Sequence, residues 1–169
     1  MLKIVLSLLL FIFLLSGCAG MKVQKSNNGF KPLKDSIVAI VPFYNYTQTP
    51  LVGFSAAAIS NVVMKSHKFQ TMPINLEPKP ELLVDDKRKS NKEILEQLQK
   101  RKIPYLLTGK VTEWRYKAGI DAEPVVGLIV EIIDTKDGKV LYSSSASNNA
   151  SYGDSLANNA QDILDKILP

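Results

Sequence analysis

Val125-Val126-Gly127-Leu128-Ile129-Val130-Glu131-Ile132-Ile133-Asp134-Thr135 leads through Lys136-Asp137-Gly138-Lys139 into Val140-Leu141-Tyr142-Ser143-Ser144-Ser145-Ala146. The first stretch is a long β-branched, apolar segment. The Asp-Gly that follows is a tight-hairpin signal, so Val125 to Thr135 and Lys139 to Ala146 read as two antiparallel strands. Immediately upstream, Tyr105 to Tyr116 is a third β-rich segment of the same character. Three consecutive strands of this kind require a sheet.

Further toward the N-terminus the pattern alternates. Ile37 to Phe43 is a continuous apolar run, as expected of a strand buried on both faces. Asn45-Tyr46-Thr47-Gln48-Thr49-Pro50 reads as a loop in which Thr49 caps a helix and Pro50 fits its first turn. That helix is expected from Leu51 to about Ser66, with Gly53, Ser55, Ala56, Ala57 and Ala58 small enough for close approach to a sheet. Phe69 to Ile74 reads as a short strand, and Glu77 to Asp86, with Pro78 and Pro80, as loop. Ser90-Asn91-Lys92-Glu93 is a capping box opening a helix with Ile94, Leu95 and Leu98 on one face. The basic cluster Lys100-Arg101-Lys102 suits that helix's negative end. Ser151 to Leu168 is amphipathic and closes the chain as a helix. The expected order is β-α-β-α-β-β-β-α: one α/β domain, a single sheet of about five strands with helices packed mainly on one side.

Composition narrows the function classes. The chain has 169 residues, of which 46% are hydrophobic, with a single Cys and a single His. That is long enough for one domain with a real core, and too apolar for a disordered chain. One cysteine makes no internal disulfide, and one histidine leaves few metal ligands. The sequence contains no glycine-rich phosphate loop, nucleophile elbow or paired histidines. Asp121 and Glu123 could serve as an acid and base pair, but a two-residue spacing in a loop without a polar cradle does not support an enzyme. His67, among Lys65, Ser66 and Lys68, reads as an exposed residue capping a helix end.

The N-terminus carries an address. Met1-Leu2-Lys3 is a short cationic start, and Ile4 to Leu15 is an apolar run of 12 residues. A membrane-spanning helix needs about 17–25, so residues 1–17 read as a signal peptide. Leu15-Ser16-Gly17-Cys18 resembles the bacterial lipobox, which implies an acylated Cys18 as the mature N-terminus. Ala19 follows in place of an aspartate, implying the periplasmic face of the outer membrane. Two acyl chains already hold a protein stably on a bilayer. Residues 18–35, polar and bearing four lysines, read as a lipidated tether, leaving 36–169 as the folded domain.

Charge is unevenly placed. Cys18 to Lys110 holds 15 basic and 7 acidic residues, net +8, whereas Val111 to Pro169 holds 5 basic and 9 acidic, net −4. Such a split suits a molecule with two different neighbours.

Two stretches carry more specific information. The first is Val41-Pro42-Phe43-Tyr44-Asn45-Tyr46-Thr47-Gln48-Thr49-Pro50-Leu51-Val52-Gly53. The second is Gly109-Lys110-Val111-Thr112-Glu113-Trp114-Arg115-Tyr116-Lys117-Ala118-Gly119-Ile120-Asp121-Ala122-Glu123-Pro124-Val125-Val126-Gly127. Together they resemble PelC, the outer-membrane lipoprotein family of Pel exopolysaccharide export. The resemblance runs from about Val38 to the last helix. It implies a fold related to curli-secretion and TolB-like periplasmic domains, and a ring of identical subunits, twelve in the family, near the outer-membrane porin PelB. It further implies an acidic aperture that attracts a cationic polysaccharide, with Asp121 on the pore side and Glu123 beside it. The family's membrane-contacting aromatic at the start of the last helix falls at Ser151 or Tyr152, which makes Tyr152 the candidate. Trp114 and Arg115 are expected to serve strand packing and a subunit contact. No cofactor, metal or nucleic acid is implied. A lipoprotein that docks on and activates a periplasmic cell-wall synthase is the competing expectation.

Overall fold

The computed structural model describes residues 21–33, 35–74, 91–119 and 122–169. Its elements are β1 (Lys22–Asn27), β2 (Ile37–Ile40), β3 (Tyr44–Asn45), α1 (Val52–Ser66), β4 (Gln70–Pro73), α2 (Asn91–Lys100), β5 (Tyr105–Tyr116), β6 (Pro124–Asp134), β7 (Val140–Asn149) and α3 (Leu156–Ile167). They build one seven-stranded sheet in the order β1-β7-β6-β5-β2-β4, with β3 paired to β5 beside that path. Hairpins make β5, β6 and β7 antiparallel, whereas β2 runs parallel to both β4 and β5. Parallel neighbours need crossovers, and α1 supplies the one from β2 to β4.

Side-chain alternation divides the core. On one face Val38, Ile40, Leu107, Leu128, Val130, Ile132 and Tyr142 pack under α1 and α3, against Ala56, Met64, Ile163 and Leu164. On the other face Ala39, Val41, Leu106 and Ile133 pack under Ile94 and Leu98 of α2. The apolar run at Ile37 is therefore buried on both sides because helices cover both. Two helices lie on one face and one on the other, in keeping with the expected asymmetric α/β layer.

The sheet is wider than expected. Residues 22–27, read above as tether, form an edge strand paired antiparallel to β7 from Lys22↔Ser147 to Asn27↔Tyr142. All six side chains are exposed. An edge strand held by backbone bonds needs no apolar face, so hydrophobic periodicity does not register it. Ser144 Oγ also donates to the Gln24 carbonyl at 2.7 Å. Phe30 then enters the core, 4% exposed and edge-on to Tyr105 at 5.2 Å. The apolar run after Val41 breaks at Pro42 and resumes as the two-residue β3. These two additions raise the strand count from five to seven.

Helix starts also differ. α1 begins at Val52, and Leu51 before it has φ 62 and provides no side-chain cap. Thr49, expected to cap, turns its hydroxyl to the Trp114 carbonyl instead, at 3.1 Å. α3 starts at Leu156 with Ser155 as cap, its hydroxyl accepting from the Asn158 N–H at 3.0 Å. Ser151 to Asp154 form a turn with Gly153 at φ 93, so Tyr152 precedes the helix by four residues. The capping Ser90 and the loop from Glu77 to Lys89 lie outside the described residues.

Candidate functional site

The two stretches that carry the resemblance meet in space. In the first, Asn45 locks its own loop: its Oδ1 accepts from the Thr47 N–H and hydroxyl, both at 2.8 Å, and its Nδ2 donates to the Thr49 carbonyl at 2.8 Å. An asparagine followed two residues later by threonine favours this self-closing turn. Thr49 then reaches across 65 residues to the Trp114 carbonyl on β5. The loop after β2 is thus fastened to the far end of β5.

There, a β-bulge decides which side chains face in. Pairing of β5 with β6 shifts between Val111 and Glu113, leaving Thr112 unpaired. The extra residue reverses the alternation. Val111 and Trp114 both face the core, Trp114 being 8% exposed, while Arg115 and Tyr116 at the strand end are exposed. Trp114 is therefore covered by its own chain. Arg115 lies 3.7 Å from Glu113 and is well exposed, which leaves it available to a neighbour.

The β5–β6 loop closes on itself. Lys117 N–H donates to the Glu123 carbonyl at 2.9 Å, and its Nζ donates to Glu123 Oε2 at 2.6 Å. Glu123 is thus neutralised locally. Asp121, like Cys18, lies outside the described residues. Beside this loop Asn159 of α3 is buried, its Nδ2 donating to the Pro124 and Asn148 carbonyls at 3.0 and 3.1 Å. Asn148 Nδ2 returns a bond to Asn159 Oδ1 at 2.8 Å. This pair fixes the loop end of the hairpin to α3 and so sets the turn bearing Tyr152, which is 74% exposed. Sequence reasoning missed Asn148 and Asn159, because polar residues in a helix and at a strand end read as solvated.

His67 is not the freely exposed cap expected. Its Nδ1 lies 2.9 Å from the Pro169 backbone oxygen and its Nε2 lies 3.0 Å from Asp165 Oδ1, tying α1 to the end of α3. The backbone bond to Pro169 first, and then Asp165, raise its pKa above 6.5. A raised folded pKa means this clasp stabilises fully below the unfolded value near 6.5, and its contribution is lost as pH rises through the higher folded value. The melting temperature is expected to fall as pH rises through that window. His67→Gln should remove that component; an unaltered pH profile in the variant would show that the clasp is not the titrating element.

Among the described residues no three His, Cys, Asp or Glu side chains converge as metal ligands. No protein-family model and no curated protein matches the sequence. Solved structures do. The PelC dodecamer from Paraburkholderia phytofirmans is 28% identical, covering 88% of this chain and 95% of that one, with a TM-score of 0.74. Lipoprotein GNA1162 from Neisseria meningitidis, 19% identical over 78% of this chain and 97% of that one, has a TM-score of 0.55 and shares the fold alone. With sequence and fold likeness spanning the same residues, the chain is a PelC-like protein.

Proposed function

We propose that the chain is a non-enzymatic lipoprotein, anchored through Cys18 to the periplasmic face of the outer membrane, that assembles into a closed ring. The ring guides a cationic exopolysaccharide toward an outer-membrane porin of the PelB kind. The observation that carries the reading is the likeness to a PelC dodecamer over 88% of the chain, joined to the lipobox at Cys18. Within the proposal Asp121 supplies the acidic aperture charge. Glu123, paired to Lys117, mainly shapes the loop that presents it. Arg115 is the side chain offered to the adjacent subunit, with Trp114 holding its strand from beneath. Tyr152 is the membrane-interface contact, an amphipathic ring suited to the headgroup level.

Native mass spectrometry of the full-length protein in detergent tests the assembly. A single closed species of about twelve subunits, the state of the PelC dodecamer, is the expected result. A monomer that co-purifies with a cell-wall synthase would replace this reading with the activator role. Anchoring has a separate test. Cys18→Ser is expected to abolish fractionation with the outer membrane and leave soluble or signal-retained protein, because the acyl chains supply the membrane affinity. Unchanged detergent-dependent fractionation of that variant would refute the anchor.

A further inference from the structure

A cavity of about 230 Å3 opens on the α2 side of the sheet, next along that face from the residues α2 covers. Tyr44, Tyr46, Thr108, Lys110, Ile129 and Glu131 line it. Strand register sets them side by side: Thr108 is opposite Glu131, and Lys110 lies between Tyr44 and Ile129. Directly paired side chains share a face and lie about 4.5–5.5 Å apart at Cβ.

Thr108 is the informative residue. It is 4% exposed, and its hydroxyl is the buried side-chain polar atom left without a hydrogen-bond partner among the described residues. The other buried polar side chains, such as Ser60, Thr135, Ser144 and Asn159, are satisfied by backbone carbonyls. A buried orphan hydroxyl is costly, and Thr108 lies at the cavity floor, where a turn of its side chain about χ1 brings the hydroxyl to a ligand. Above it, Lys110 and Glu131 are half-buried, and neither has an ion-pair partner among the described residues. Tyr46, 67% exposed, supplies an aromatic wall.

We propose that this cavity binds one sugar ring of a polysaccharide. An apolar ligand would leave Thr108 unpaired and strip water from two charges. A ligand of one charge would be attracted by one rim residue and repelled by the other. A sugar ring meets each wall: its C–H face rests on the tyrosines, while its hydroxyls reach Thr108, Glu131 and Lys110. The cavity is smaller than the roughly 300–1,000 Å3 of pockets for drug-sized ligands, so it holds a single ring. The same face continues as a polar apron. Ser143 and Ser145 of β7 pair with Glu131 and Ile129, and Ser26 and Gln24 of β1 pair with those serines in turn. Three strand spacings of about 4.8 Å separate β5 from β1, which gives adjoining sugar units a hydroxyl- and amide-bearing surface. A protein interface core is instead depleted of charge. The inference takes its ligand class from the export reading, but its site does not include Asp121.

Full-length protein in detergent is titrated by calorimetry with a neutral N-acetylglucosamine hexamer, a glucosamine hexamer and free N-acetylglucosamine. The neutral hexamer is expected to bind saturably, about tenfold or more tighter than the free sugar, and more tightly than the glucosamine hexamer, each of whose rings carries a charge that Lys110 repels. Equal affinity for the free sugar would overturn the polymer assignment. Thr108→Val and Tyr46→Ala should each weaken hexamer binding by about 3–10-fold, with ring mass and melting temperature kept in Thr108→Val. Unchanged binding in both variants means water alone fills the cavity, and overturns the site. Loss of the ring in Tyr46→Ala would show that a second copy covers this face, and likewise overturns it. Asp121→Lys separates the two readings: neutral-hexamer binding should survive it, whereas failure of guidance would appear only in export.

Discussion

Gly53→Ala is expected to destabilise the protein by about 3 kcal/mol or more, lowering the melting temperature by roughly 6–12 °C. Helix propensity argues the other way, since alanine in a helix interior gains about 1 kcal/mol over glycine. Geometry decides the sign. A Cβ on Gly53 would sit 2.0 Å from the Phe43 carbonyl oxygen, a backbone atom that no rotamer change can move. The Phe43 N–H donates to the Gly53 carbonyl at 3.0 Å, so the helix and the strand end are clamped at this point. Displacing α1 would also disturb the fully buried Phe43 and Ala56. Ala58→Gly, on the exposed side of the same helix, is the control and should cost only about 1 kcal/mol. Thermal unfolding of both variants checks the contrast, and a Gly53→Ala protein as stable as the parent would show that the approach is looser than described.

Asp121→Lys is expected to give the largest functional loss: secreted polymer strongly reduced, with folding, membrane attachment and ring assembly intact. Within the proposed ring the reversal is repeated at every subunit, so a local potential that drew in a cationic chain would repel it. Glu123 cannot compensate, because Lys117 already offsets its charge at 2.6 Å. Screening over about 8–10 Å at physiological salt confines the effect to charges lining the path. Asp121→Glu, which keeps the sign, should be mild. If Asp121 serves only to shape the loop before Pro124, Asp121→Asn would export normally and Asp121→Lys would lower the melting temperature. Export and stability are therefore measured together on all three variants. Normal export from a stably folded Asp121→Lys protein removes the guidance role.

Legibility in the sequence follows the source of each element's stability. β5, Tyr105 to Tyr116, is legible because its first five residues are all buried and the stretch is rich in aromatic and β-branched side chains. The Asp-Gly turn was readable because Gly138, at φ 74, adopts a conformation that β-branched residues resist. β1 was not, since Lys22–Asn27 is held by backbone bonds and buries no side chain. Thr49 looked like a helix cap from its neighbours in sequence, whereas its hydroxyl is taken by Trp114, 65 residues away. The inward turn of Trp114 depends on the bulge at Thr112, which no periodicity marks. Thr108 gave no signal, because a threonine inside a strand reads as an ordinary β-former; its distinction is a missing partner that only the folded chain reveals.

The pairing of Lys22–Asn27 with β7 sets the length of the leash. An extended chain reaches at most about 3.6 Å per residue, so with the lipid on Cys18 as proposed, Lys22 lies within about 14 Å of the acylated residue. Had the chain stayed free to residue 35, the allowance would have been roughly 60 Å. A subunit on the longer cord could tumble and rise; on the shorter one it swivels about a fixed point with its β1 edge kept at the headgroups. Neighbouring subunits moored in this way would be held within about 14 Å of one height, so part of the entropy of lining up a ring would be lost at anchoring, before any two subunits touch.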